Sequence, residues 1–261
     1  MMRAIVCTLF AVLWPGMGPP PASASDERGP APSLPEGERI RVADLVLALE
    51  TIAQDLETSE TVREDYDALV AKHRLKDTDE LFREYVRVRL VFESARDGGL
   101  WRLRWDITNE QPNSDRIWAQ WKRVADPDPE RATAVAECDE LSALFAHLAH
   151  RLGVAHVGLF WPQWNHVVAV WTVQGEDGPV RIVVPTSQIF LDDDATLGTD
   201  GFDPGKQKRI YDYRRKDAKD SLALPAELVR FMIEQSWAHA GRSHAELQRE
   251  RNERSRALGG S

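Results

Sequence analysis

Glu137-Cys138-Asp139-Glu140-Leu141, with the helical pattern it opens and the later run Asn165-His166-Val167-Val168-Ala169-Val170-Trp171-Thr172-Val173, decides how this chain is read. Leu141, Phe145, Leu148 and Leu152 recur at three- and four-residue spacing, which makes one apolar face of a helix. Cys138 stands three positions before Leu141, on that same face and in the first turn. Gly153, two residues after Arg151, ends the pattern in the usual way for a helix C-terminus. An apolar run from Val154 to Trp161 comes next. The run from His166 to Val173 is β-branched and apolar at consecutive positions, which predicts a strand buried on both faces. The polar segment from Gln174 to Pro179 then predicts a turn into a partner strand, Val180 to Val184. A helix beside an antiparallel pair gives an α+β fold.

The chemistry of this stretch lies in one thiol and one imidazole. A thiol at a helix N-terminus feels the positive end of the macrodipole, which favours the thiolate and so the nucleophile. His166 opens the strand and is a candidate general base, the arrangement that nucleophilic catalysis by cysteine needs. Asp139 and Glu140 work the other way, since like charge beside a thiol raises its pKa. The bland alternatives are a small buried cysteine and a hydrogen-bonded core histidine.

A cysteine, an apolar helix ending in Leu152-Gly153-Val154, a strand that begins with His166, and a strand that ends in Pro185-Thr186 together resemble the transglutaminase-like branch of the papain-like cysteine hydrolases. The resemblance covers roughly residues 115–190. It implies a cysteine helix packed on an antiparallel sheet, with Cys138 as nucleophile, His166 as base, and an acyl substrate passing through a thioester. It also implies an aromatic helix before the cysteine helix, where Ile117 to Val124 stands. The family's third residue is an Asp just before Pro-Thr, and Val184 holds that position here. Thr186 is therefore assigned the orienting role. Pairing of the two strands through the turn sets Ser187 opposite His166, and a slip of one or two positions offers Thr186 or Gln188 instead. A hydroxyl or amide can fix the imidazole tautomer, though it stabilises imidazolium less than a carboxylate does.

Residues 1–24 read as a secretory signal peptide: basic Arg3, an apolar core from Ala4 to Trp14, and the small-residue site Ala22-Ser23-Ala24. The apolar core is shorter than the roughly 20 residues a bilayer span takes, so the mature chain is expected to be secreted or periplasmic without stable membrane insertion. Removing Arg3 leaves 32 basic against 42 acidic residues, a net charge of −10. That balance argues against nucleic acid as a partner. Cys7 leaves with the signal peptide, so Cys138 is the one cysteine of the mature chain. An odd cysteine in an oxidising compartment is either buried and inert or a reactive thiol.

Residues 25–38, rich in Pro, Ser and Gly, read as a flexible leader. From 39 to 99 two helical patterns follow. One runs through Ile40, Leu45, Leu49 and Ile52 and continues less cleanly to Val70; the other spans Asp79 to Arg96 and stops before Gly98-Gly99. The core is assigned to 100–215. There Trp101 to Ile107 alternates like a short strand, and Trp118 and Trp121 have helical spacing. Exposed indoles would make a carbohydrate platform, but aromatics at such periodicity are more commonly core. The acidic loop 192–203 suggests calcium, yet an EF-hand beginning at Asp192 needs Gly where Leu197 stands, so a solvated loop is the expectation. Tyr211 to Tyr213 has the look of a last short strand.

Residues 216–261 read as a helix from Pro225 and then a charged stretch, Arg242 to Arg256, either frayed helix or disordered tail. His147 and His150 are three apart but lack a paired-cysteine or HExxH context, so they read as polar-face residues and no metal or other cofactor is expected. The expected function is an exported cysteine-dependent amide hydrolase or acyltransferase acting on a peptide or protein, including cell-wall peptide. The alternative is a catalytically degenerate domain of the same fold that binds a peptide or protein partner in its cleft.

Overall fold

The protein is described by a computed structural model at residues 30–95, 104–106, 133–135, 138–163, 166–184 and 223–259. It is a mixed α+β fold in which helices cover one face of an antiparallel sheet. Helices α1 (Val42–Leu56), α2 (Glu60–His73) and α3 (Asp79–Ala95) come first. The sequence pattern running from Ile40 to Val70 is cut in two at Ser59. Its side chain accepts the Val62 N–H at 3.4 Å and starts α2, a standard N-cap. Thr78 does the same for α3, accepting the Leu81 N–H at 3.1 Å. Leader residues 30–38 form no regular element, and Leu34 packs partly on the core.

Helix α3 is the hub. Its second half is buried on every side, as befits a central helix, and it packs against α1, α4 (Cys138–Arg151) and α5 (Ala226–His239). One continuous apolar core joins these helices to the sheet. A buried cation sits within it. Arg89, 3% exposed, donates to the Asp65 carboxylate at 2.6 Å, to the Tyr85 hydroxyl at 3.0 Å and to the Arg242 carbonyl. Burial works against its charge, but Tyr85 and Asp65 outweigh it and hold the guanidinium more firmly charged than usual.

The chain beyond Arg242 is helical through Gly259 (α6, His244–Gly259), so the charged stretch is not a disordered tail. Ser243 and Glu246 form a reciprocal capping box: the Ser243 hydroxyl accepts the Glu246 N–H at 3.2 Å, and the Glu246 carboxylate accepts the Ser243 N–H at 3.1 Å. Asp65 accepts the His244 N–H at 2.8 Å, and Leu247 is buried beneath. A two-stranded antiparallel ribbon of β1 (Arg39–Arg41) and β7 (Ala223–Pro225) ties the beginning of the helical part to α5. No helix among the described residues is long and apolar enough to cross a membrane.

Two phenols in the helical part resist ionisation. Burial pushes the Tyr85 hydroxyl up; burial, then the hydrogen bond to Asp77 at 2.8 Å, does the same for Tyr66. A raised folded value means full stability below the ordinary phenol pKa of about 10, lost as pH climbs past it. Absorbance at 295 nm should therefore show Tyr66 and Tyr85 ionising together with alkaline loss of helical circular dichroism. Smooth titration of all tyrosines while the fold persists would contradict this.

The main sheet has the order β4-β5-β6 (Val157–Gln163, His166–Gly175, Gly178–Val184), antiparallel throughout. The predicted register holds from Ala169↔Val184 to Gly175↔Gly178 around the two-residue turn Glu176-Asp177. Both faces of β5 are buried, as its apolar run requires: Val167, Ala169, Trp171 and Val173 join the main core, and Val168 and Val170 join Phe160 and Val183 on the other side. Arg74 clamps the hairpin tip through Glu176 at 2.9 Å and Asp177 at 2.7 Å. Gly178 has φ +133°, and a Cβ on Gly175 would meet the Val180 side chain at 2.8 Å and the Gly178 carbonyl at 3.0 Å. Gly175→Ala should thus cost about 1–3 kcal/mol by overpacking against backbone. Urea denaturation would register this, and an unchanged midpoint would show that the hairpin yields.

Of the predicted strand at 101–107, Arg104–Asp106 is β2, which pairs in parallel with β3 (Thr133–Val135). Trp101, Trp118, Trp121, the acidic loop 192–203, Tyr211 to Tyr213 and the signal sequence lie outside the described residues.

Candidate functional site

Cys138 is the first residue of α4, and His166 is the first residue of β5, as the sequence pattern predicts for both. Two hydrogen bonds fix how helix and strand lie against each other. Near the helix start, the Ser142 hydroxyl donates to the Val167 carbonyl at 3.3 Å. Near its end, the His150 Nε2 lies 2.8 Å from the Val157 carbonyl, and Val157 is the cross-strand partner of Trp171. From Ser142 to His150 the helix advances about 12 Å at about 1.5 Å per residue. From Val167 to Trp171 the strand advances about 13 Å at about 3.3 Å per residue. The matched lengths mean that α4 and β5 run side by side in the same direction. Cys138, one turn before Ser142, and His166, one residue before Val167, thus begin their elements at the same end of the layer.

Helix α3 runs the opposite way along β5. Just before it, the Lys76 N–H bonds the Gln174 carbonyl, and within it Glu84 accepts the Trp171 indole N–H at 3.2 Å. The C-terminal turn of α3, with Glu93 and Ser94 buried, therefore comes to the end where α4 and β5 begin. On the helical wheel Glu93 lies opposite Glu84, along the Arg89 side of α3, so it is not a substitute for the family's orienting acid.

Val184, where the resemblance would set that acid, is 2% exposed, faces the main core and pairs with Ala169 rather than His166. Thr186, Ser187 and Gln188 lie outside the described residues. One expectation is corrected: His147 is not on a polar face but is buried within α4's packing, and His150 is half-buried against β4. Among the described residues no group of three or more His, Cys, Asp or Glu is placed to hold a metal ion.

No family model, curated protein or solved structure matches the chain.

At the same end of the layer, the β4–β5 ladder contains a feature the sequence reading missed. Phe160 pairs with Val168 and Gln163 with His166, so two residues, Trp161 and Pro162, stand opposite Val167 alone. This is a β-bulge, a device found where a strand pair must bend or re-aim a side chain. The signal was present in the sequence as a proline inside an apolar strand run, which is tolerated at edges and bulges.

Proposed function

We propose that this protein is an exported cysteine-dependent amide hydrolase or acyltransferase of transglutaminase-like architecture, acting on a peptide or protein. The observation that carries the reading is the start of α4 and the start of β5 at one end of the layer, joined by the Ser142–Val167 hydrogen bond. In this mechanism His166 takes the Cys138 proton and the thiolate adds to the amide carbon. N–H groups of the first helical turn, which lack intrahelical acceptors, hold the oxyanion. The tetrahedral adduct collapses to a thioester as His166 gives the proton to the leaving amine. Water or a second amine, deprotonated by His166, then attacks the thioester and frees the thiol. Thr186 orients the imidazole in this scheme.

A second reading, a degenerate domain that binds a peptide without cleaving it, draws on two observations. An apolar, core-facing Val184 stands where the family has its acid. Regular strand alternation also assigns position 166 to the side of Val168 and Val170, the face away from α4.

Alkylation of Cys138 in the folded protein as a function of pH separates the two. An ordinary thiol reacts with a midpoint near its pKa of about 8.5. A thiol already reactive at about pH 6 supports catalysis. A thiol that reacts only on denaturation removes the enzyme and leaves the binding domain.

A further inference from the structure

We propose that Ser142 is a positioning residue, whose hydroxyl fixes the start of β5, where His166 stands, against the first turns of α4, where Cys138 stands. The inference rests on the catalytic reading above and deepens it. Three observations converge on Val167, the residue next to His166. Its carbonyl accepts the Ser142 hydroxyl at 3.3 Å, and Ser142 is fully buried, one helical turn after Cys138 on the same stripe of α4. Val167 also stands opposite the two bulged residues of β4. One of those two, Pro162, has no N–H to give to a ladder.

The Thr172 N–H bonds the His156 carbonyl, so the even-numbered residues of β5 turn their backbone groups to β4 and the Val167 carbonyl is turned the other way, where α4 supplies it with a hydroxyl. A helix hydroxyl bonded to a strand carbonyl crosses between layers, which a ladder bond does not. It therefore couples the azimuth of β5 to that of the helix whose first residue is the nucleophile. Serine at this site thus sets the geometry of the thiol–imidazole pair as well as filling the core. A merely structural serine would affect melting temperature and leave the chemistry of Cys138 alone.

The test uses the full mature protein and iodoacetamide, comparing native, Ser142→Ala and Ser142→Thr chains across pH 5–10, with near-ultraviolet circular dichroism to verify folding. The expected result is a folded Ser142→Ala protein whose Cys138 alkylation at about pH 6 drops about tenfold, since displacements near 1 Å can cost more than that. Ser142→Thr, which keeps the hydroxyl, should retain the native profile. A native profile in folded Ser142→Ala overturns the role of Ser142 while leaving the Cys138–His166 pair standing. Where Ser142→Ala does not fold, Ser142→Thr decides: a folded protein without the low-pH reactivity overturns the proposal. A native protein with no low-pH reactivity refutes the pair itself, and the role of Ser142 with it.

Discussion

Replacing His166 by alanine is expected to slow Cys138 alkylation about tenfold at pH 6 and to leave it nearly unchanged at pH 10. Two opposing effects set the size of the loss. Pairing with an imidazolium that brings a thiol from about 8.5 to about 6 raises its thiolate fraction at pH 6 roughly a hundredfold. Thiolate nucleophilicity falls with basicity, with a Brønsted slope of about 0.4–0.5, which takes back roughly a factor of ten. By about pH 10 both proteins are thiolate and the imidazole is neutral, so both effects vanish and the two rates converge. A substitution that merely loosened packing around Cys138 would raise the rate at every pH. A loss confined to low pH, with the two profiles meeting at high pH, is therefore the signature of a pair. Profiles that run parallel would end the catalytic reading.

Arg89→Ala carries the largest expected loss of stability, about 3–5 kcal/mol, against a typical total of about 5–15 kcal/mol. The guanidinium lies inside the helical layer and ties Asp65 of α2, Tyr85 of α3 and the Arg242 carbonyl before α6. Its removal leaves the Asp65 carboxylate facing the His244 N–H without a cation and opens a cavity beside Tyr85. Arg74→Ala is the control. Its pairs with Glu176 and Asp177 are exposed, and such pairs contribute at most about 1 kcal/mol. Guanidinium chloride denaturation of both variants compares them directly. A loss for Arg89→Ala no greater than for Arg74→Ala would mean that water replaces the guanidinium. The helices α5 and α6 should also lose amide-exchange protection in Arg89→Ala, because the Arg242 carbonyl and the His244 N–H share the same anchor.

How much of this was legible in the residues differs by element, for physical reasons. The helix from Cys138 and the strand from His166 were readable because burial imposes periodicities of 3.6 and 2 or an unbroken apolar run. The hairpin register was readable because a two-residue turn with Gly at each flank fixes which residues face each other. The capping box at Ser243 and Glu246 was equally present, but the dense charge that follows it masked a helix whose start is held by Asp65 of α2 and by Arg89 of α3, which bonds the Arg242 carbonyl just before it. His147 was misplaced because the amphipathic pattern assumes one buried face, and α4 is buried between α3 on one side and the sheet on the other.

The sequence by itself determined the local periods, the caps and the turn, since each depends on neighbours a few residues apart. It also determined which thiol and which imidazole open their elements. Only the tertiary structure decided that those two openings lie at one end of the layer. That depends on Ser142 reaching Val167 and His150 reaching Val157, contacts between segments that no local pattern relates. The burial of Arg89 was also a tertiary decision. A charge in an amphipathic helix reads as solvent-facing until a carboxylate from one helix, a carbonyl from the turn before α6 and a hydroxyl from its own helix surround it.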